Sequence, residues 1–117
     1  MDIKKQVVSK KFAQGLVDIG VTAPSMFKWI GTDVWDETMQ SDYETSRMKY
    51  PRPTWLPAWT VAELGDLLKH YDTDLPWYAN GSWWWYQLDG SEWETKTEAD
   101  ARADLLHHLL KNNAPKV

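Results

Sequence analysis

The sequence has no cysteine. That removes disulfide staples, thiolate catalysis and cysteine-ligated zinc together, and it fits a reducing compartment. No apolar run reaches the roughly 18 residues that a membrane-crossing helix needs. The opening Met1-Asp2-Ile3-Lys4-Lys5-Gln6 lacks the apolar centre of a signal peptide. A soluble chain in the cytoplasm, without membrane association, is the expectation. Basic residues are in the minority: 13 Lys and Arg stand against 17 Asp and Glu, for a net charge of −4. Nucleic-acid affinity rests largely on cations that neutralise phosphates, so a broad phosphate-binding surface is disfavoured. Catalytic signatures are missing too: there is no nucleophile elbow, no phosphate-cradling glycine loop and no HExxH.

Tryptophan is abundant, with nine beside only two phenylalanines. One indole can bury about 150–250 Å², worth roughly 4–6 kcal/mol at about 25 cal/mol per Å². Each also carries an N–H that needs a partner, so some indoles are expected at the surface. The 117 residues suit a single domain over 1–117 with one core.

The local patterns predict an α+β domain: a small antiparallel sheet, made of a hairpin over 82–97 and one or two further strands, packed against about three helices. Ser9 and Gly20 bracket a helix whose apolar positions are Phe12, Ala13, Leu16, Val17 and Ile19. Before it, Val7 and Val8 read as extended and core-facing. Met26 to Ile30 alternates as a strand, broken by Gly31-Thr32-Asp33. An acidic stretch then leads to Tyr50-Pro51-Arg52-Pro53-Thr54-Trp55-Leu56-Pro57, whose prolines impose a fixed loop or edge segment. Thr60-Val61-Ala62-Glu63 fits a capping box with Trp59 as a staple against Leu64, opening a helix with Leu64, Leu67 and Leu68 on one stripe. A last helix begins at Thr97 and buries Ala99, Ala103, Leu105, Leu106, Leu109 and Leu110.

Between these helices, Trp77-Tyr78-Ala79 reads as a strand, Asn80-Gly81 as a turn and Ser82-Trp83-Trp84-Trp85-Tyr86 as a second strand. A two-residue Asp89-Gly90 loop would place Trp84, Tyr86, Leu88 and Trp93 on the core face, with Trp83 and Trp85 outside opposite Lys96 and Glu94. The rival is a three-residue loop with a bulge at Gly90, which puts Trp83, Trp85 and Trp93 inside and Trp84 and Tyr86 outside. The two-residue form is preferred; in either, the two outward aromatics share their face with Glu92 and Glu94. Outward aromatics stack sugars, bases or protein segments. The candidate binding residues are Trp83, Trp85, Trp55, Trp59 and Tyr50, unless the 50–59 loop roofs the outer pair.

Metal signals are weak. Asp104 and His108 share a helix face without a third ligand, and His70, Asp72 and Asp74 fit a helix-ending turn. No metal site and no cofactor are expected. Glu92 and Glu94 sit on an apparently solvated strand and do not make a catalytic pair.

Four segments, Gln6 to Gly20 (QVVSKKFAQGLVDIG), Ser25 to Trp29 (SMFKW), Ala58 to Leu68 (AWTVAELGDLL) and Thr97 to Leu106 (TEADARADLL), resemble in the same order a group of small uncharacterised proteins encoded by bacteriophages and prophages of gut bacteria. The Thr97-Glu98-Ala99-Asp100-Ala101-Arg102-Ala103 block is the most specific. The resemblance implies a phage-type product acting in the cytoplasm of a bacterial host, and it carries no activity or catalytic residue with it. The expected function is therefore a non-enzymatic module that binds a host or phage protein through exposed aromatics. The alternatives are a nucleic-acid accessory protein using Lys4, Lys5, Lys10 and Lys11 with aromatics, and a small hydrolase. Oligomeric state is left open.

Overall fold

The computed structural model describes residues 6–31, 33–36, 55–71, 73–87 and 90–112. Among these residues the chain is α+β, with three helices and six strands. The helices are α1 (Lys10–Asp18), α2 (Val61–Leu68) and α3 (Glu98–Lys111). The strands are β1 (Phe27–Ile30), β2 (Asp33–Asp36), β3 (Leu56–Pro57), β4 (Trp77–Ala79), β5 (Ser82–Tyr86) and β6 (Glu92–Thr95). They form two antiparallel sheets rather than the single one expected, in the orders β2-β1-β3 and β4-β5-β6.

The long helix α3 organises the molecule. Its sequence places small residues on opposite sides, Ala99 and Ala103 on one and Ala101 on another, and all three are buried. Small side chains let neighbours approach closely, and α3 packs against α1, α2, β5 and β6. Thr97 caps it by accepting from the Asp100 N–H at 3.2 Å, as its sequence predicts. Asp100 in turn accepts from the Ser9 N–H at 2.7 Å, which fastens the start of α1 to the start of α3. Ser9 occupies the expected N-cap position of α1, but its side chain makes no cap bond.

Helix α2 begins with the capping box read from the sequence. Thr60 Oγ1 accepts from the Glu63 N–H, and Glu63 Oε1 accepts from the Thr60 N–H at 2.9 Å. Val7 and Val8 lie in the core. Their segment is held to α2's approach by a bridge from Val7 to Thr60 and a bond from the Val8 N–H to the Trp59 carbonyl. In the first sheet, Gly31 at φ 62° turns β1 into β2, with Ile30 opposite Asp33. The pattern Asp33-Val34-Trp35-Asp36 did not read as a strand because aspartate is a poor strand former. Val34 opposite Trp29 supplies the packing that overrides this, since both are buried. Leu56–Pro57 is an edge strand beside β1, where a proline without an N–H is tolerated.

Candidate functional site

The second sheet carries the chemistry. At its first turn Asn80 and Gly81 adopt φ of 55° and 81°, the pair of positive angles that a two-residue hairpin requires. Ala79 therefore pairs with Ser82 and Trp77 with Trp84. The second turn is the longer form. The Gln87 N–H donates to the Ser91 carbonyl at 2.8 Å, Gly90 takes φ 90°, and the ladder pairs Trp83 with Thr95, Trp84 with Glu94, Trp85 with Trp93 and Tyr86 with Glu92. The preferred two-residue Asp89-Gly90 register is thus overturned in favour of the three-residue one. Residues 88 and 89 themselves lie outside the described residues.

The physical reason is the packing of α3. In the observed register Trp85 points at the helix and is 3% exposed. Its indole N–H donates to Asp104 Oδ2 at 3.1 Å, and its ring lies 5.3 Å from that of His108. A slip by one residue would turn Trp85 outward and orphan both its area and its N–H.

The five residues predicted to bind fare differently. Trp85 belongs to the core, and so does Trp59, which is 0% exposed with its indole N–H on the Ala23 carbonyl at 3.1 Å. Neither belongs to the outward face of the sheet. Trp83 is half-buried on the α3 side and packs against the core, its ring 5.6 Å from Tyr78. Trp55 is half-buried. Tyr50 lies outside the described residues, as does the loop proposed to roof the aromatics up to residue 54.

The outward face is instead Trp77, Trp84 and Tyr86. The rings of Trp77 and Tyr86 are 4.5 Å apart, and Trp84 is fixed by its N–H to the Ala79 carbonyl at 2.9 Å. Tyr86 is 43% exposed, Trp77 and Trp84 are half-buried, and exposed Glu92 and Glu94 flank them on β6. The sequence signal was present in the alternation of β5. The alternation does not by itself choose the face, because Asp-Gly fits a two-residue turn as well as a bulged one.

The face toward α3 holds a second feature, a cavity of about 160 Å³ between β5, β6 and α3. Trp85 and Trp93 form its apolar part, with rings 6.4 Å apart and an interplanar angle of 23°. Gln87, Asp104, His107 and His108 supply polar groups, and Lys111 stands at its margin. Burial raises the Asp104 carboxyl above its ordinary value, opposed by the Trp85 hydrogen bond and by positive charge on His107 and His108. The Asp104–His108 pair seen in the sequence is thus brought together with His107. Among the described residues no group of three or more His, Asp or Glu side chains is placed to hold a metal ion.

Of the N-terminal lysines, Lys4 and Lys5 lie outside the described residues, and Lys10 donates to the Gly31 carbonyl at 2.6 Å. His70 and Asp74 are exposed after α2, and Asp72 is outside the described residues. Among the described residues no helix is long and apolar enough to cross a membrane. No family model matches the chain, and neither a curated protein nor a solved structure is detectably similar to it.

Proposed function

We propose that the chain is a non-enzymatic binding module that engages a protein partner through Trp77, Trp84 and Tyr86, and that the partner offers a basic, extended segment. The observation that carries this reading is an aromatic face bordered by a row of carboxylates, Glu94 opposite Trp84 and Glu92 opposite Tyr86. Flat aromatic rings give large contact area at low conformational cost and stack on guanidinium groups. The glutamates add charge complementarity, which steers association and selects against acidic partners. The overall charge of −4 acts in the same direction. Strand β6 is the last in its sheet, so a segment can also lie along its edge by strand addition. The sequence resemblance supports a phage-type protein in the cytoplasm of a bacterial host, and the proposed partner is accordingly a host or phage protein.

The test uses fluorescein-labelled peptides of about ten residues, long enough to span a strand, with arginine at alternate positions, beside matched glutamate peptides. Anisotropy should rise for the arginine series alone, and Trp84→Ala should weaken binding about tenfold or more, the size of an interface hot spot. Equal binding of both series, or indifference to Trp84→Ala, would sink the reading.

A further inference from the structure

We infer that the cavity between β5, β6 and α3 is a second binding site, separate from the aromatic face, and that it takes one ring of a neutral polyhydroxylated ligand, a monosaccharide unit. Four features of the site support this. The first is a usable apolar wall: Trp93 is 49% exposed while stacked on the buried Trp85, so its indole is braced yet open to the C–H face of a sugar ring. The second is a fixed acceptor. Asp104 is half-buried, and among the described residues its hydrogen bonds run through Oδ2 to the Trp85 indole. The carboxylate is thereby held in place while retaining capacity for hydroxyl donors.

The third feature is the mixture of partners around that acceptor. Gln87 both donates and accepts, His107 does the same when neutral, and Lys111 donates. Hydroxyl groups also donate and accept, so a polyol can satisfy such a set. A cation would meet Lys111 and the imidazoles, whereas an anion would meet Asp104. The fourth is size: the cavity is about 160 Å³, below the roughly 300–1,000 Å³ of sites for drug-sized molecules, so it suits a single ring.

The experiment follows the tryptophan indole N–H signals of the ¹⁵N-labelled full chain by NMR. It titrates methyl α-D-glucopyranoside, methyl α-D-mannopyranoside, methyl β-D-galactopyranoside and N-acetylglucosamine, with tetramethylammonium chloride as the cationic probe. The expected result is a saturable shift of the Trp85 and Trp93 signals with at least one sugar, at a dissociation constant on the order of millimolar. Trp93→Ala should lose about tenfold or more of that affinity, and Gln87→Ala should weaken it with the remaining spectrum unchanged. Absence of a saturable shift with all four sugars overturns the inference. So does a shift with tetramethylammonium alone, and so does sugar binding that Trp93→Ala leaves intact. None of these outcomes depends on the arginine peptides, which address the opposite face.

Discussion

Glu63 brings two parts of the chain together with one carboxylate. Oε1 accepts from the Thr60 N–H and the Ser25 hydroxyl, and Oε2 accepts from the Met26 N–H at 3.0 Å. Thr60→Ala removes one cap and should cost about 1 kcal/mol. Glu63→Ala leaves two part-buried donors, the Thr60 N–H and the Ser25 hydroxyl, and the exposed Met26 N–H without their acceptor, and should cost about 2–3 kcal/mol. Urea unfolding of the two variants checks the order; an equal or reversed order would mean that the Ser25 and Met26 bonds contribute nothing. The capping box could be read from four adjacent residues, but the Ser25 and Met26 bonds could not, because they close over a separation that no local pattern encodes. The indole N–H groups teach the same lesson. Trp29 donates to the Val8 carbonyl at 2.8 Å, and Trp59, Trp84 and Trp85 donate to Ala23, Ala79 and Asp104. Trp35 is half-buried, and its buried indole N–H finds no partner among the described residues. Tryptophan number alone is therefore a poor guide to surface, since backbone carbonyls and one carboxylate let Trp29, Trp59 and Trp85 leave bulk water.

At the scale of elements, the register of β5 decides which aromatics are structural. Trp85→Phe removes a buried N–H donor and leaves a small void, so it should cost about 2–4 kcal/mol. Tyr86→Phe, on the exposed face, should stay within about 0.5 kcal/mol. Denaturant midpoints of the two variants report this directly, and a larger loss at Tyr86 would restore the two-residue turn. Helices were the more readable elements, because caps and leucine spacing are local and α3 buries the residues its pattern marks. The Asn80-Gly81 hairpin was equally readable. The sheets were less so: β2 depends on Val34 packing against Trp29, and the 88–90 connection is settled by α3 rather than by Asp-Gly chemistry.

The same helix predicts a pH effect. Burial raises the Asp104 carboxyl above 3.8, despite the Trp85 bond and the charge of His107 and His108. The folded state then holds this proton more tightly than the unfolded chain. Its contribution to stability is fully present below about 3.8 and is lost as pH rises through the higher folded value. Asp104→Asn should remove that loss, so the variant gains on the parent as pH rises through the carboxylate range. A stability difference that does not change with pH would contradict it.

At the scale of the whole molecule, α3 covers one surface of the second sheet, the side with the Trp85–Trp93 cavity, and leaves an outward side with Trp77, Trp84 and Tyr86. Both registers read from the sequence put two outward aromatics on the face that carries Glu92 and Glu94, and that feature holds in the observed register, where Trp84 and Tyr86 lie directly opposite them. Its consequence is electrostatic: Glu92 and Glu94 give the outward face a negative border on a chain that is already acidic. The most direct test of the central claim is therefore a charge exchange. Glu92→Lys together with Glu94→Lys, both at exposed strand positions, is titrated with the arginine and glutamate peptides beside the parent. The account predicts that the parent binds the arginine series and that the double variant loses it about tenfold or more while gaining the glutamate series. An unchanged preference would contradict it.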